Sequence, residues 1–204
     1  MLILLFCSFM SVLIKIPMFP LTIFPLPGEM VPLHIFEPRY RQLLDDAETK
    51  DISFGIYFNH ALNSEKFGAL VKLESIIKRY PSGESDIIVK CTDLFVMDTL
   101  YRTFRDKLYP GGDVMMMNTD MHVSTSVKLV EKYKEYAAQM NITPSIKNIS
   151  IYHIANDLSM DFESKLKFVS AADERKESFL FNQLTYHSQL LLQAEKSKDV
   201  FHLN

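Results

Sequence analysis

Five prolines, Pro17, Pro20, Pro25, Pro27 and Pro32, fall within sixteen residues near the start of the chain. Each fixes its own φ and lacks an N–H, so neither a long helix nor a central, regular ladder fits this stretch. Short extended pieces joined by kinks, as in the wall of a small barrel, are what it allows. The pattern stays strand-like from Ile16 to about Asn118 and then turns helical. A strand-rich first half followed by a helix-only second half predicts an α+β fold.

Met30 to Phe36 reads as a strand. Pro38 suits the first turn of a helix running to about Thr49, with Tyr40, Leu43, Leu44 and Ala47 on one face. Ile52 to Phe58 is strand-like. Gly68 to Lys78 and Asp86 to Leu100 form a hairpin around the turn Tyr80-Pro81-Ser82-Gly83-Glu84. Pro110-Gly111-Gly112 reads as a further turn, with a strand from Asp113 to Asn118. Beyond it, Val127, Val130, Tyr133 and Ala137 share one helical stripe, and Ile151, Ile154, Ala155 and Leu158 share another. Thr143-Pro144-Ser145 breaks the chain between them. Phe162, Leu166 and Val169 form a third stripe. Leu180, Leu184, His187, Leu191 and Ala194 form the last, with Ser170 and Asp173 spaced as a capping box before it. The expected organisation is an apolar extension over residues 1–15, a barrel over 16–118 and a helical part over 119–204.

The first fourteen residues carry no charge. They are too few for a membrane-spanning helix, which needs roughly 20 apolar residues. They also lack the basic leader and cleavage site of a signal peptide. Three readings stay open: an upstream start with Met10 as the true first residue, an extra apolar strand or docked segment, and export. Of 204 residues, 48% are hydrophobic and 23% charged, as in ordinary globular domains, and the net charge is −3. No basic field covers the whole surface to draw nucleic acid. Cys7 and Cys91 form no CxxC pair and no disulfide framework, which points to a reducing, cytoplasmic setting.

Motifs for chemistry are missing. No glycine begins a phosphate-binding loop, and neither GxGxxG nor GxSxG occurs. The six histidines are never closer than fifteen residues and neither cysteine neighbours one, so no metal site is expected. No catalytic residue and no cofactor is expected either. His187, on an apolar stripe, reads as a packed or rim side chain. Six residues stand out as a candidate surface for a peptide or protein partner. Glu37, Arg39 and Tyr40 flank Pro38 at a helix start, where Glu37 could pair with Arg39. Tyr101 and Phe104 lie among Arg102, Arg105 and Lys107. Met116 is the centre of a three-methionine run, half of which strand alternation would bury.

The stretch Met18-Phe19-Pro20-Leu21, then Phe24 to Gly28, then Val31-Pro32-Leu33-His34-Ile35-Phe36-Glu37-Pro38-Arg39-Tyr40-Arg41 resembles the opening of the Lon protease amino-terminal, or substrate-binding, domain. The later segment LSMDFESKLKFVSAADERKESFLFNQL is similar to that family's helical part, with Lys165, Leu166 and Lys167 and then Glu174-Arg175 at its marked positions. The resemblance covers roughly Ile16 to Lys196. It implies a PUA-like, partly closed β-barrel followed by a C-terminal helical bundle. Residues for the ATPase and peptidase modules of full Lon are not in this sequence. Cys91-Thr92-Asp93-Leu94 departs from the family pattern, which has Gly-Arg near there.

The function this implies is a non-catalytic module that binds unfolded or exposed polypeptide segments and assists a protease. The alternative is an RNA- or nucleotide-binding PUA-like module. At −3, nucleic acid is not the expected partner unless Lys72, Lys78, Arg79, Arg102, Arg105 and Lys107 segregate onto one face.

Overall fold

The computed structural model describes residues 12–143 and 149–201, with side chains to residue 194. Cys7, Met10, Pro144 and Ser145 lie outside the described residues. Six strands, β1 (Leu13–Phe19), β2 (Met30–Ile35), β3 (Phe54–Tyr57), β4 (Phe67–Arg79), β5 (Ser85–Tyr101) and β6 (Gly111–Met116), form one sheet in the order β2-β5-β4-β3-β1-β6. An extra β5–β6 pairing bends that sheet into a partly closed ring. Among the described residues five helices follow or interrupt the strands: α1 (Pro38–Lys50), α2 (Val127–Gln139), α3 (Ile151–Asp157), α4 (Phe162–Ser170) and α5 (Asp173–Phe201).

The length of β5 makes the ring possible. On one side β4 follows it almost throughout; on the other, β2 pairs with Ser85 to Lys90 and β6 with Phe95 to Tyr101. The ring is narrow where Phe95 crosses it. A side chain at Gly68 would overlap the Phe95 ring, and one at Gly55 would meet Met18 Sδ at 2.5 Å. Glycine at both positions lets the walls approach the aromatic ring closely. Phe95 lies in a small core with Ile16, Met18, Tyr57, Met97 and Val114, against which Met116 packs.

Prolines in the first stretch do not prevent a regular ladder. Pro17 lies within β1, opposite Gly111 of β6. Because the Met18 amide donates to Pro110 across that ladder, the nitrogen of Pro17 faces the other way. On that side β3 pairing begins only at Met18. The missing N–H therefore costs no hydrogen bond. Leu13, Ile14 and Lys15 also pair with β6, so the sheet begins before the expected barrel start.

Four local expectations are corrected. Gly111 and Gly112 open β6, and the turn lies earlier, where the Phe104 amide donates to the Tyr109 carbonyl. Val127 is 74% exposed, because the buried stripe of α2 runs through Leu129, Tyr133, Tyr136 and Ala137. Ser170 ends α4 with its hydroxyl donating to the Leu166 carbonyl, so it caps nothing in α5. The predicted strand over 52–58 is shorter, Phe54–Tyr57.

The main core crosses the strand-to-helix change without a break. Phe54, Val71, Val89 and Leu94 share it with Leu43 and Leu44 of α1 and with Ile154, Phe168, Leu180 and Leu184. The segment before β2 joins the two halves. Gly28 takes φ +85°, a conformation that favours glycine, and its amide donates to the Cys91 carbonyl. Asn156 Nδ2 donates to the Pro27 carbonyl, and Lys165 of α4 pairs with Glu29.

The outer edges of the long hairpin are guarded. β2 has no second neighbour among the described residues and carries Pro32. Beyond Val71, where β3 pairing stops, β4 carries Lys72, Lys78 and Arg79 and shifts register twice, between Leu73 and Ser75 and between Ile76 and Lys78.

Candidate functional site

A groove of about 600 Å³ lies where ring and helices meet. Its walls come from the turn after β6 (Met117 to Val123), the start of α3 (Ile151, Tyr152) and the start of α5 (Asp173 to Glu177). Asp93 of β5 fixes the turn, its Oδ1 accepting from the Leu94 and Thr119 amides at 2.7 and 2.8 Å. Asp120 Oδ1 accepts from the His122 amide at 2.8 Å. Further on, Thr125 Oγ1 donates to the Ile149 carbonyl and Glu177 Oε1 accepts from the Ser126 amide. Ser150 and His153 form a capping box at the start of α3. The groove is thus pinned on three sides.

Its floor is apolar: Ile151 and Tyr152 are buried, while Val123 is 40% and Met117 37% exposed. Burial, and after it the Asp173 charge, pushes the Tyr152 phenol up to about 12, so it stays protonated. Asp120, Asp173, Glu174 and Glu177 line the rim. Lys176 is buried, with its Nζ 2.8 Å from Asp173 Oδ1. That hydrogen bond is the main cause holding the Asp173 carboxyl below its ordinary value.

The six residues singled out from sequence do not converge there. Glu37 precedes α1 and pairs with Arg39, Nη2 to Oε2 at 2.8 Å. Tyr40 is buried, its ring 4.2 Å from that of Phe19 and covered by Arg39. It is a core side chain. Tyr101 donates to Asp113 at 2.5 Å and carries Lys15 over its ring. Phe104 stacks on Tyr109 above Gly111. Met116 faces the ring core, whereas Met115 and Met117 are each 37% exposed. His187 packs edge-on against Tyr136. Among the basic residues named from sequence, Lys72, Arg79 and Lys107 pair with Asp51, Glu48 and Asp46.

Sequence reading overlooked the groove because its residues come from three distant segments. Asp93 lies in the stretch that stands out only for departing from a family pattern, and Glu174 only as half of a Glu-Arg pair. A second cleft of about 420 Å³ lies between the β3–β4 loop and α4, lined by Leu62, Phe67 and Leu166 with Lys167 and Glu163 paired on its edge. Among the described residues no group of three or more His, Cys, Asp or Glu could hold a metal ion, and no helix is long and apolar enough to cross a membrane.

Residues 15–176 match the sequence model of the ATP-dependent protease La (LON) substrate-binding domain. The chain belongs to the Lon substrate-binding domain family. Two solved structures share its Lon-domain fold. The Lon N-terminal domain protein from Xanthomonas campestris has a TM-score of 0.62 at 19% identity, over 88% of this chain and 98% of that one. The N-terminal domain of Mycobacterium avium complex Lon protease has a TM-score of 0.57 at 12% identity, over 85% and 99%. Among curated proteins none matches.

Proposed function

We propose that this chain is a non-catalytic module that holds extended or unfolded polypeptide in the 600 Å³ groove between ring and helices, and so assists a protease. The carrying observation is a pinned groove with an apolar floor in a member of the Lon substrate-binding family. Apolar side chains of a ligand displace water from Met117 and Val123, while the polar rim keeps the groove wetted when empty. Both residues are partly exposed, so changing them alters the binding surface with little effect on the core.

The test is retention of denatured model proteins by the immobilised chain and by its Met117→Ser/Val123→Ser variant. Retention above that of a control domain, reduced severalfold in the variant, supports the reading. Equal retention by the variant moves the site elsewhere, and no retention by the unaltered chain overturns it. An RNA-binding reading has less support, since Lys72, Arg79 and Lys107 are already ion-paired.

A further inference from the structure

We infer that the groove prefers polypeptide segments in which a lysine or arginine stands between apolar side chains; this rests on the polypeptide reading above. The rim carries four carboxylates, Asp120, Asp173, Glu174 and Glu177, around the floor of Val123, Ile151 and Tyr152. Lys176, the one basic residue in the lining among the described residues, is 8% exposed and engaged with Asp173. Among the described residues no ion pair reaches Asp120, Glu174 or Glu177.

The imbalance is greater here than in the second cleft, whose lining carboxylates are Glu65 and Glu163, the latter matched by Lys167. Asp173 and Glu174 begin α5, where the helix dipole favours negative charge. A lysine or arginine is amphipathic in the same sense as the groove: its alkyl stem lies on apolar surface while its head stays at the wet rim. An acidic segment meets like charge at the same place, so the rim selects by repulsion as well as attraction.

The test uses the full chain and three labelled peptides of equal length, each with the same apolar residues and differing only in two positions: lysine, serine or glutamate. By fluorescence anisotropy at low salt, the lysine peptide is expected to bind roughly three- to tenfold tighter than the serine peptide, as suits exposed charge pairs. The glutamate peptide is expected to bind weakest, with the spread closing as salt rises. Asp120→Asn/Glu174→Gln, checked for folding by circular dichroism, should narrow the spread between the lysine and glutamate peptides severalfold, and a spread that the double variant leaves unchanged overturns the assignment of the preference to this rim. The amide introduced by Asp120→Asn keeps a carbonyl oxygen as acceptor for the His122 amide. Equal binding of all three peptides to the unaltered chain overturns the preference and leaves the polypeptide reading standing. Binding of none overturns both. A concentration-dependent rise in mass without peptide, abolished by the double variant, assigns the groove to a second copy of the chain and also overturns the preference.

Discussion

Lys165 Nζ reaches both carboxylate oxygens of Glu29, at 2.8 and 2.7 Å, across the seam between α4 and the segment entering β2. Glu29 Oε2 also accepts from the Leu26 amide, so one carboxylate closes a turn and anchors a helix. The side chains are only 13% and 26% exposed. Removing one partner strands the other charge in a poorly hydrated place. Lys165→Met is expected to lower stability by about 2 kcal/mol, below the roughly 3–5 kcal/mol of a fully buried pair. Urea unfolding of this variant, of Glu29→Gln and of the double variant gives the coupling directly. Additive effects would show that the two residues do not act as a pair.

Asp46 makes a second cross-link, from α1 to the segment before β6. Its carboxylate accepts from Tyr109 at 2.7 Å and pairs with Lys107 at 3.0 Å and with Lys50. Burial pushes this carboxyl up, but the hydrogen bonds from Lys50, Tyr109 and Lys107 together outweigh it and bring the pKa to about 2 from an ordinary 3.8. Because the folded value is the lower one, the ionised carboxylate favours folding fully above about pH 4 and progressively less as pH falls toward 2. Asp46→Asn is expected to cost about 1–2 kcal/mol at neutral pH. It should also flatten the fall in thermal midpoint between about pH 5 and pH 2. An unchanged slope would remove Asp46 from the acid response.

The close approach at Phe95 predicts intolerance of bulk. Gly68→Val should destabilise by about 1–3 kcal/mol, since the ring core has no room for the added methyl groups. Pairing it with Phe95→Leu should recover part of the loss. A double variant no better than the single one would mean that strand geometry, rather than the aromatic ring, sets the requirement.

Tyr133 of α2 donates to Asp157 at the end of α3, while its ring is buried in the main core. Burial and then the Asp157 contact raise its phenol pKa, so the hydroxyl remains a donor through neutral pH. Tyr133→Phe keeps the packing and is expected to cost about 1–2 kcal/mol. Limited proteolysis should show faster cleavage within α2 and α3. Identical digestion patterns would argue that packing alone holds these helices together.

Much of the fold is legible because period and punctuation act locally. Pro38 sets the start of α1, and the turn residues between Arg79 and Ser85 set the hairpin. Errors arise where tertiary neighbours decide. Val127 looks like part of an apolar stripe, yet Leu129 and Tyr136 are the α2 side chains that reach the core. Gly111 and Gly112 look like a turn, yet they are needed where Phe104 and Met97 press against β6. The groove is harder to see still. Val123, Tyr152 and Glu174 have no common spacing, and only the docking of α3 and α5 beside the turn after β6 places them together.

The guarded margins of the sheet bear on how the chain behaves among other polypeptides. Exposed strand margins invite zippering with any extended chain, including a half-folded sibling. Pro32 removes an amide from one margin, and the lysines and slipped pairings of β4 spoil the other. Sheet growth from these margins is thereby disfavoured, and this chain should stay dissolved in a crowded, partly denatured mixture.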